Sequence, residues 1–313
     1  MSNASPSPTD PGPLPWQPQH WPVWLVIGTL AVLARIPWFM QRSIGRGFGV
    51  ILRTLLPSRR KVAVRNLELT MPSVPAAERE SMVNRHFTAL GTSLFEFGRA
   101  WWGSVEPLQR NLHVEGATTL LDAVNHGKGV ILVSGHFTTL EVCGRLLTDI
   151  TPVAGMYRPY SNAAMEYAVK KGRLRYAIAM FTKNEMRPAV KHLKSGGVLW
   201  YAPDQDPSRG ESVFVDFFGV PANSLASTHQ LARLSGAQVV FFGHYRAQDG
   251  SYRMKLWQAD EPFPTKDPIA DTTVVMSNIE RMVRAAPEQY LWIHRRFKRQ
   301  PDGVSKYSES TRR

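Results

Sequence analysis

The chain has 313 residues, a formal net charge of +13, 43% hydrophobic residues and a single cysteine. A wholly disordered chain is excluded by that apolar content, and an intrachain disulfide framework by the lone Cys143, which suits a reducing compartment. The excess of Lys and Arg points to a polyanionic partner: a nucleic acid, an anionic membrane surface or a phosphorylated substrate.

In chain order, residues 1–20 are rich in Pro and Ser, lack Lys and Arg, and are expected to form a disordered tail. Residues 21–40 are apolar, with Trp21, Trp24 and Trp38 toward the two ends. They reach the roughly 20 residues of a membrane span only by including Arg35 and Pro37, and the expectation is a membrane-anchoring helix. Every basic residue follows Ala34, beginning Arg35, Arg42, Arg46, Arg53, Arg59, Arg60, Lys61 and Arg65, which orients the body of the protein to the cytoplasm. Residues 41–103 form a membrane-proximal helical region. Ile44, Phe48, Ile51, Leu52 and Leu55 recur at helical spacing opposite Arg42, Arg46 and Arg53, as in a helix lying on a membrane surface or on the protein's own core. Residues 76–102 read as one long helix with the stripe Met82, Phe87, Leu90, Leu94, Phe97 and Trp101; Trp101 and Trp102 face lipid, acyl chains or the core.

From residue 104 to about 300 the pattern alternates. Short apolar runs at 113–116, 129–134, 153–157, 198–202, 239–243 and 252–257 read as strands. Helical stretches fall at 118–125, 140–148, 162–171, 185–194, 224–234 and 271–285. This alternation predicts an α/β domain, a mixed central sheet flanked by helices, with residues 301–313 as a C-terminal tail. Zinc-type Cys/His spacing, a phosphate-binding glycine loop and a dinucleotide fingerprint are missing from the sequence.

The stretch Gly129 to Glu141 concentrates the candidate chemistry. An apolar strand ends at Ser134-Gly135, His136 follows, and Thr138 or Thr139 can cap a helix that carries Glu141. Residues five apart do not face each other on one helix. His136 and Glu141 therefore meet only if His136 sits on the turn and Glu141 reaches back from the first helical turn. A carboxylate there would fix the imidazole tautomer and leave the other ring nitrogen as a general base; otherwise the pair is a histidine near a helix start and a surface glutamate. On the catalytic reading, His136→Ala and Glu141→Ala are both expected to lose turnover yet stay folded.

Other polar residues follow strand ends, where open α/β sheets hold their sites: Arg158 after residue 157, Arg173 in the Lys170–Arg175 run, and Asp204 after residue 202. Arginines suit phosphate through their planar fork, and surface salt bridges are the alternative. Asp204 with Asp206 makes a weak case for a divalent metal, and no metal is expected. The run Arg295-Arg296-Phe297-Lys298-Arg299 fits a strip facing an anionic membrane as well as a nucleic-acid patch. A nucleic-acid partner is not expected, because no aromatic and basic binding module is recognisable.

Taken together, these segments resemble the late lipid A acyltransferases of Gram-negative bacteria, the lauroyl/myristoyl acyltransferase family, and within it the Kdo-dependent lauroyl type. The resemblance runs from Trp21 to Gly303. It rests on Arg65-Asn66-Leu67, Gly135-His136-Phe137-Thr138-Thr139-Leu140-Glu141, Tyr157-Arg158-Pro159, Gly172-Arg173-Leu174-Arg175, Trp200-Tyr201-Ala202-Pro203-Asp204-Gln205-Asp206, Ser212 to Gly219, and Ala286 to Lys298. It implies a glycerolipid acyltransferase-like fold and an enzyme of the bacterial inner membrane. Such an enzyme moves a fatty acyl group, lauroyl for this type, from acyl carrier protein to a hydroxyl on a 3-hydroxyacyl chain of (Kdo)2-lipid IVA. Myristoyl or palmitoleoyl transfer, or hydrolysis of an acyl ester or thioester by the same dyad, are the alternatives. The resemblance further implies that His136 and Glu141 are catalytic, and it carries Arg158, Arg173 and Asp204 over as substrate-binding candidates. The expected partners are acyl carrier protein, the lipid A precursor and the anionic membrane surface; no cofactor is expected beyond the acyl carrier co-substrate.

Overall fold

The computed structural model describes residues 7–207 and 210–307. Its elements begin with four helices: α1 (Trp21–Leu33), α2 (Trp38–Leu55), α3 (Pro57–Thr70) and α4 (Ala76–Trp102). A short α5 (Glu106–Gln109) leads to β1 (Leu112–Glu115), α6 (Ala117–Asn125), β2 (Val130–Val133), α7 (Leu140–Leu147), β3 (Ala154–Tyr157) and α8 (Ala163–Arg173). Then come β4 (Met180–Thr182), α9 (Met186–Lys194), β5 (Val198–Tyr201), the hairpin β6 (Ser212–Phe217) and β7 (Val220–Leu225), α10 (Ser227–Ser235), β8 (Gln238–Arg246), β9 (Tyr252–Trp257) and α11 (Pro268–Ala285).

The apolar runs become strands because seven of them stack into one sheet in the order β1-β9-β8-β2-β5-β3-β4. Neighbours are parallel throughout except β8 and β9. The sheet is therefore mixed and mostly parallel, flanked by helices. Strand β2 is central, which explains why all four of its residues are apolar and buried. Ile131, Val133, Leu199 and Phe241 point to one face and pack with Leu67, Phe87, Leu231 and Ile279. Val130, Leu132, Val198 and Phe242 point to the other and pack with Leu108, Leu120, Val142 and Leu146. Cys143 lies in this second core, where burial pushes its thiol well above the usual range, as ordinary packing predicts.

The N-terminal region departs from expectation in two ways. The apolar stretch 21–40 is not one helix: it breaks between Leu33 and Trp38, at the Arg35 and Pro37 that a continuous span would have to tolerate. Helix α1 has 13 residues, about 20 Å of rise, short of the roughly 30 Å hydrocarbon core of a bilayer. Among the described residues no helix is long and apolar enough to cross a membrane. The Pro-rich tail also makes contacts from Ser7 onward. Pro8 O accepts from Met180 N at 2.7 Å, covering the edge strand β4, and Ser7 O accepts from the buried Lys170 ammonium at 2.9 Å. Residues 1–6 and 308–313 of the two expected tails lie outside the described residues.

Helices α2 and α4 cross at contact distance. A Cβ on Gly49 would stand 2.3 Å from Phe87 O, and one on Gly91 2.2 Å from Gly45 O, so only glycine permits the approach. Helix α2 is thus packed on the protein along Gly45 and Gly49, while Phe39, Ile44, Phe48, Ile51 and Leu55 stay exposed. The reading as a helix packed on the protein's own core holds along that glycine face.

Candidate active site at the ends of two central strands

Strands β2 and β5 are adjacent and parallel, with Val133 paired to Tyr201. The ladder continues one step, Ser134 N donating to Tyr201 O at 3.0 Å. Three residues beyond that register stand His136 on one strand and Asp204 on the other. The side chains meet: His136 Nδ1 donates to Asp204 Oδ1 at 2.6 Å, and the His136 backbone N–H donates to Oδ2 at 2.8 Å. One carboxylate holds both the ring and the backbone of the histidine. This fixes the tautomer with the proton on Nδ1 and leaves Nε2 as a base.

Asp204 is fully buried. Burial alone would raise its carboxyl, but the charge of His136, the two hydrogen bonds from that residue and the Arg296 charge reverse the effect and hold it at about 2. Arg296 is itself buried; its fork donates to Asn223 O and Ser224 Oγ, and its guanidinium lies over the Phe217 ring. His136 keeps 31% of its side chain exposed, and it lines a narrow cavity with Asn66, Asp204, Gln205, Tyr290, Leu291, His294 and Arg296.

Glu141 occupies a different environment. Helix α7 starts only at Leu140, after a turn in which Thr138 N donates to Gln289 O and Phe137 pairs with Tyr290. The first helical turn therefore points Glu141 away from that strand end, into the contact of α7 with α4 and α8. There its carboxylate accepts from Arg173 Nε at 2.9 Å and from Arg173 Nη2, from Trp101 Nε1 at 3.0 Å and from Tyr176 OH at 2.9 Å. The expected hydrogen bond between Glu141 and the His136 ring is replaced by that of Asp204. Arg173 is correspondingly not an open phosphate ligand: its guanidinium is engaged inside this cluster, and the Glu141 carboxylate holds it protonated against the effect of burial. Trp101 is buried in the core, where its indole N–H braces Glu141. Neither threonine caps α7 through its side chain: the Thr139 hydroxyl is hydrogen bonded to His244 Nδ1 at 2.9 Å instead.

Arg158 lies exposed past the end of β3 and has no hydrogen bond or ion pair among the described residues. Asp206 accepts from Arg299 Nη1 at 3.0 Å and from Asn223 Nδ2 at 3.3 Å, so the doublet Asp204 and Asp206 is divided between two partnerships. Among the described residues no three His, Cys, Asp or Glu gather as a metal cage requires. The basic run is likewise split: Arg296 is in the core and Arg299 is paired, which leaves Lys298 exposed.

The 286–298 stretch carries no role that its sequence alone reveals. The backbone gives it one: Leu291 N donates to His136 O at 3.0 Å, and Asn66 Nδ2 holds Trp292 O and His294 O at 2.6 and 2.7 Å. These contacts bring His294 and Arg296 to the His136 cavity. No local pattern foretells them, because Asn66 and His294 are 228 residues apart.

A profile described as "Bacterial lipid A biosynthesis acyltransferase" matches residues 15–299. The chain is 37% identical over 290 residues to the lipid A biosynthesis palmitoleoyltransferase of Escherichia coli (strain K12), covering 92% of this chain and 94% of the relative. It is equally 37% identical, with the same coverage, to the lipid A biosynthesis lauroyltransferase of that organism. To the lipid A biosynthesis myristoyltransferase of the same organism it is 25% identical over 93% of this chain and 91% of the relative.

Proposed function

The chain belongs to the bacterial lipid A biosynthesis acyltransferases, and from that premise we propose that it transfers a fatty acyl group from acyl carrier protein to a hydroxyl on a 3-hydroxyacyl chain of a lipid A precursor, with His136 as general base. The observation that carries this reading is the clamp of His136 by Asp204. His136 Nε2 takes the proton of the acceptor hydroxyl as its oxygen attacks the thioester carbonyl, and the buried Asp204 carboxylate stabilises the imidazolium that forms. Collapse of the tetrahedral intermediate expels the thiolate, which takes from His136 the proton that came from the acceptor hydroxyl. The products are an ester and a thiol, and no acyl-enzyme is required.

Glu141 and Arg173 act in this scheme as positioning residues. They tie the start of α7, which directly follows His136, to α4 and α8. Equal identity to a lauroyl- and a palmitoleoyltransferase supports either chain length; pocket differences of a few methylenes are worth only about 1–3 kcal/mol each.

The proposed place of work is the cytoplasmic face of the inner membrane. In α1 and α2, Trp21, Leu25, Val32, Phe39, Ile44 and Ile51 are all exposed, with Arg35 and Arg46 exposed beside them. That composition suits a pair of helices lying in the headgroup boundary.

The test is an acyl transfer assay with (Kdo)2-lipid IVA and a panel of acyl carrier protein thioesters from C12 to C16, read by mass spectrometry. Acylated lipid formed from one carrier thioester, and not from the matching coenzyme A thioester, is the expected result. Transfer from coenzyme A alone would overturn the donor assignment.

A further inference from the structure

We infer that His294 is a second catalytic histidine, a neutral hydrogen-bond donor that stabilises the oxyanion formed when the acceptor hydroxyl attacks the thioester. The inference rests on the His136 reading above and adds the group that reading leaves open.

The geometry begins with the His294 ring. Asp206 N donates to His294 Nε2 at 3.1 Å. An amide N–H donates only to an unprotonated ring nitrogen, so the His294 proton is on Nδ1. Burial, the larger influence, pushes the ring down to about 4, and it therefore stays neutral at physiological pH. Nδ1–H meets no partner among the described residues, and it is not one of the polar atoms sealed inside the protein. His294 is one of the residues that line the cavity holding His136.

The other polar groups of that cavity are less suited. Asn66 uses its amide N–H groups on Trp292 O and His294 O, and its oxygen on Tyr307 OH. Tyr290 OH is directed at Asp204 O. Arg296 has both fork ends engaged, and its Nε is sealed from solvent. The Gln205 amide meets no partner among the described residues, and so no hydrogen bond there fixes it. His294 alone combines a free donor with a ring anchored by a backbone N–H. Its carbonyl is also held, at 2.7 Å, by Asn66. An oxyanion donor works through such preorganisation.

In the step itself, His136 Nε2 accepts the hydroxyl proton, the new C–O bond forms, and the carbonyl π electrons move to oxygen. That oxygen accepts a hydrogen bond from His294 Nδ1–H with no proton transferred. When the thiolate leaves, the carbonyl re-forms and the thiolate takes its proton from His136.

The experiment compares His294→Ala, His294→Asn, His294→Gln, Gln205→Ala and His136→Ala by steady-state kinetics in the transfer assay, with thermal midpoints measured alongside. Asn sets an amide N–H where Nδ1 stood, whereas Gln reaches the Nε2 position and keeps the Asp206 contact without a donor at the cavity. The expected result is a fall in kcat of about 10²–10³ for Ala and Gln with KM little changed, and recovery to within about tenfold of the parent for Asn. Turnover within threefold of the parent for His294→Ala overturns the inference. So does Gln matching or exceeding Asn, or a loss confined to KM. A kcat loss in Gln205→Ala without one in His294→Ala transfers the role to Gln205 and equally overturns it. Normal turnover in His136→Ala identifies failure of the underlying dyad instead.

Discussion

Asp204 grips its neighbour twice, through the ring N–H and the backbone N–H of His136. Asp204→Asn keeps the volume but removes the charge, and an amide can present its NH2 to the ring and invert the tautomer. Turnover is expected to fall by about 10²–10⁴ with KM nearly unchanged, checked by steady-state kinetics; less than a threefold loss would mean that the pair is not the working dyad. Glu141 carries a different expectation. Its carboxylate is 1% exposed and answers a buried guanidinium, an indole N–H and a phenol. Glu141→Ala strands the Arg173 charge, so beside the expected loss of turnover it should lose about 3–5 kcal/mol in stability. Urea denaturation of Glu141→Ala, Arg173→Met and the double variant tests this. Coupling of the two losses is expected, with the double variant no less stable than Glu141→Ala; simple additivity would show that the two residues act separately.

Among the elements, α2 against α4 offers a contrast built into one helix. A Cβ on Gly47 would meet nothing within 4 Å, whereas one on Gly49 would stand 2.6 Å from Thr88 Cα and closer still to Phe87 O. Gly47→Ala should therefore stabilise by about 1 kcal/mol through helix propensity. Gly49→Ala should destabilise by about 1–3 kcal/mol, because backbone cannot move aside as a side chain can. Opposite shifts in thermal midpoint are the expected outcome; equal shifts would show that the helices can separate freely. The same reasoning explains which elements are readable. The extent of α4 (Ala76–Trp102) follows from its apolar stripe and from Gly103 after it. Strand β4, three residues long, and the β6–β7 hairpin have too little periodicity to announce themselves. The break at Arg35 to Pro37 is visible in the residues, but treating those two as tolerated defects within a span hides its effect.

For the molecule as a whole, acid should be destabilising well before the carboxylates titrate. His86 and His244 are buried, and burial pushes them from 6.5 to about 4 and about 3. Between those values and 6.5 the unfolded chain binds protons that the folded chain refuses. Their contribution is thus fully present above 6.5 and declines as pH falls, by about 1.4 kcal/mol per pH unit for each histidine. Asp204, held at about 2 against 3.8, adds a loss of the same sign below pH 4. Urea midpoints at pH 7, 6 and 5 should fall steadily, and His244→Gln should flatten the slope by about one proton; a constant midpoint across that range would contradict the burial argument. The exposed apolar faces of α1 and α2 make a separate prediction. The chain should float with vesicles containing anionic lipid, and a Leu25→Glu, Phe39→Glu, Ile51→Glu variant should not. Flotation of both alike would remove these faces from the membrane contact.

The sequence by itself determined the alternation of strands and helices, the strand-end setting of His136 and Asp204 and the family, because these depend on local periodicity and on motifs contiguous in the chain. Only the tertiary structure decided which carboxylate serves which partner. His136 and Glu141 are five residues apart, and that proximity suggests a pair, yet a turn before α7 sends Glu141 to Arg173. Asp204, 68 residues away, reaches the imidazole because β5 lies parallel beside β2 in a register that carries both residues equally far past the sheet. Strand order and register are long-range properties, set by how the two cores pack on the sheet, and no spacing along the chain encodes them.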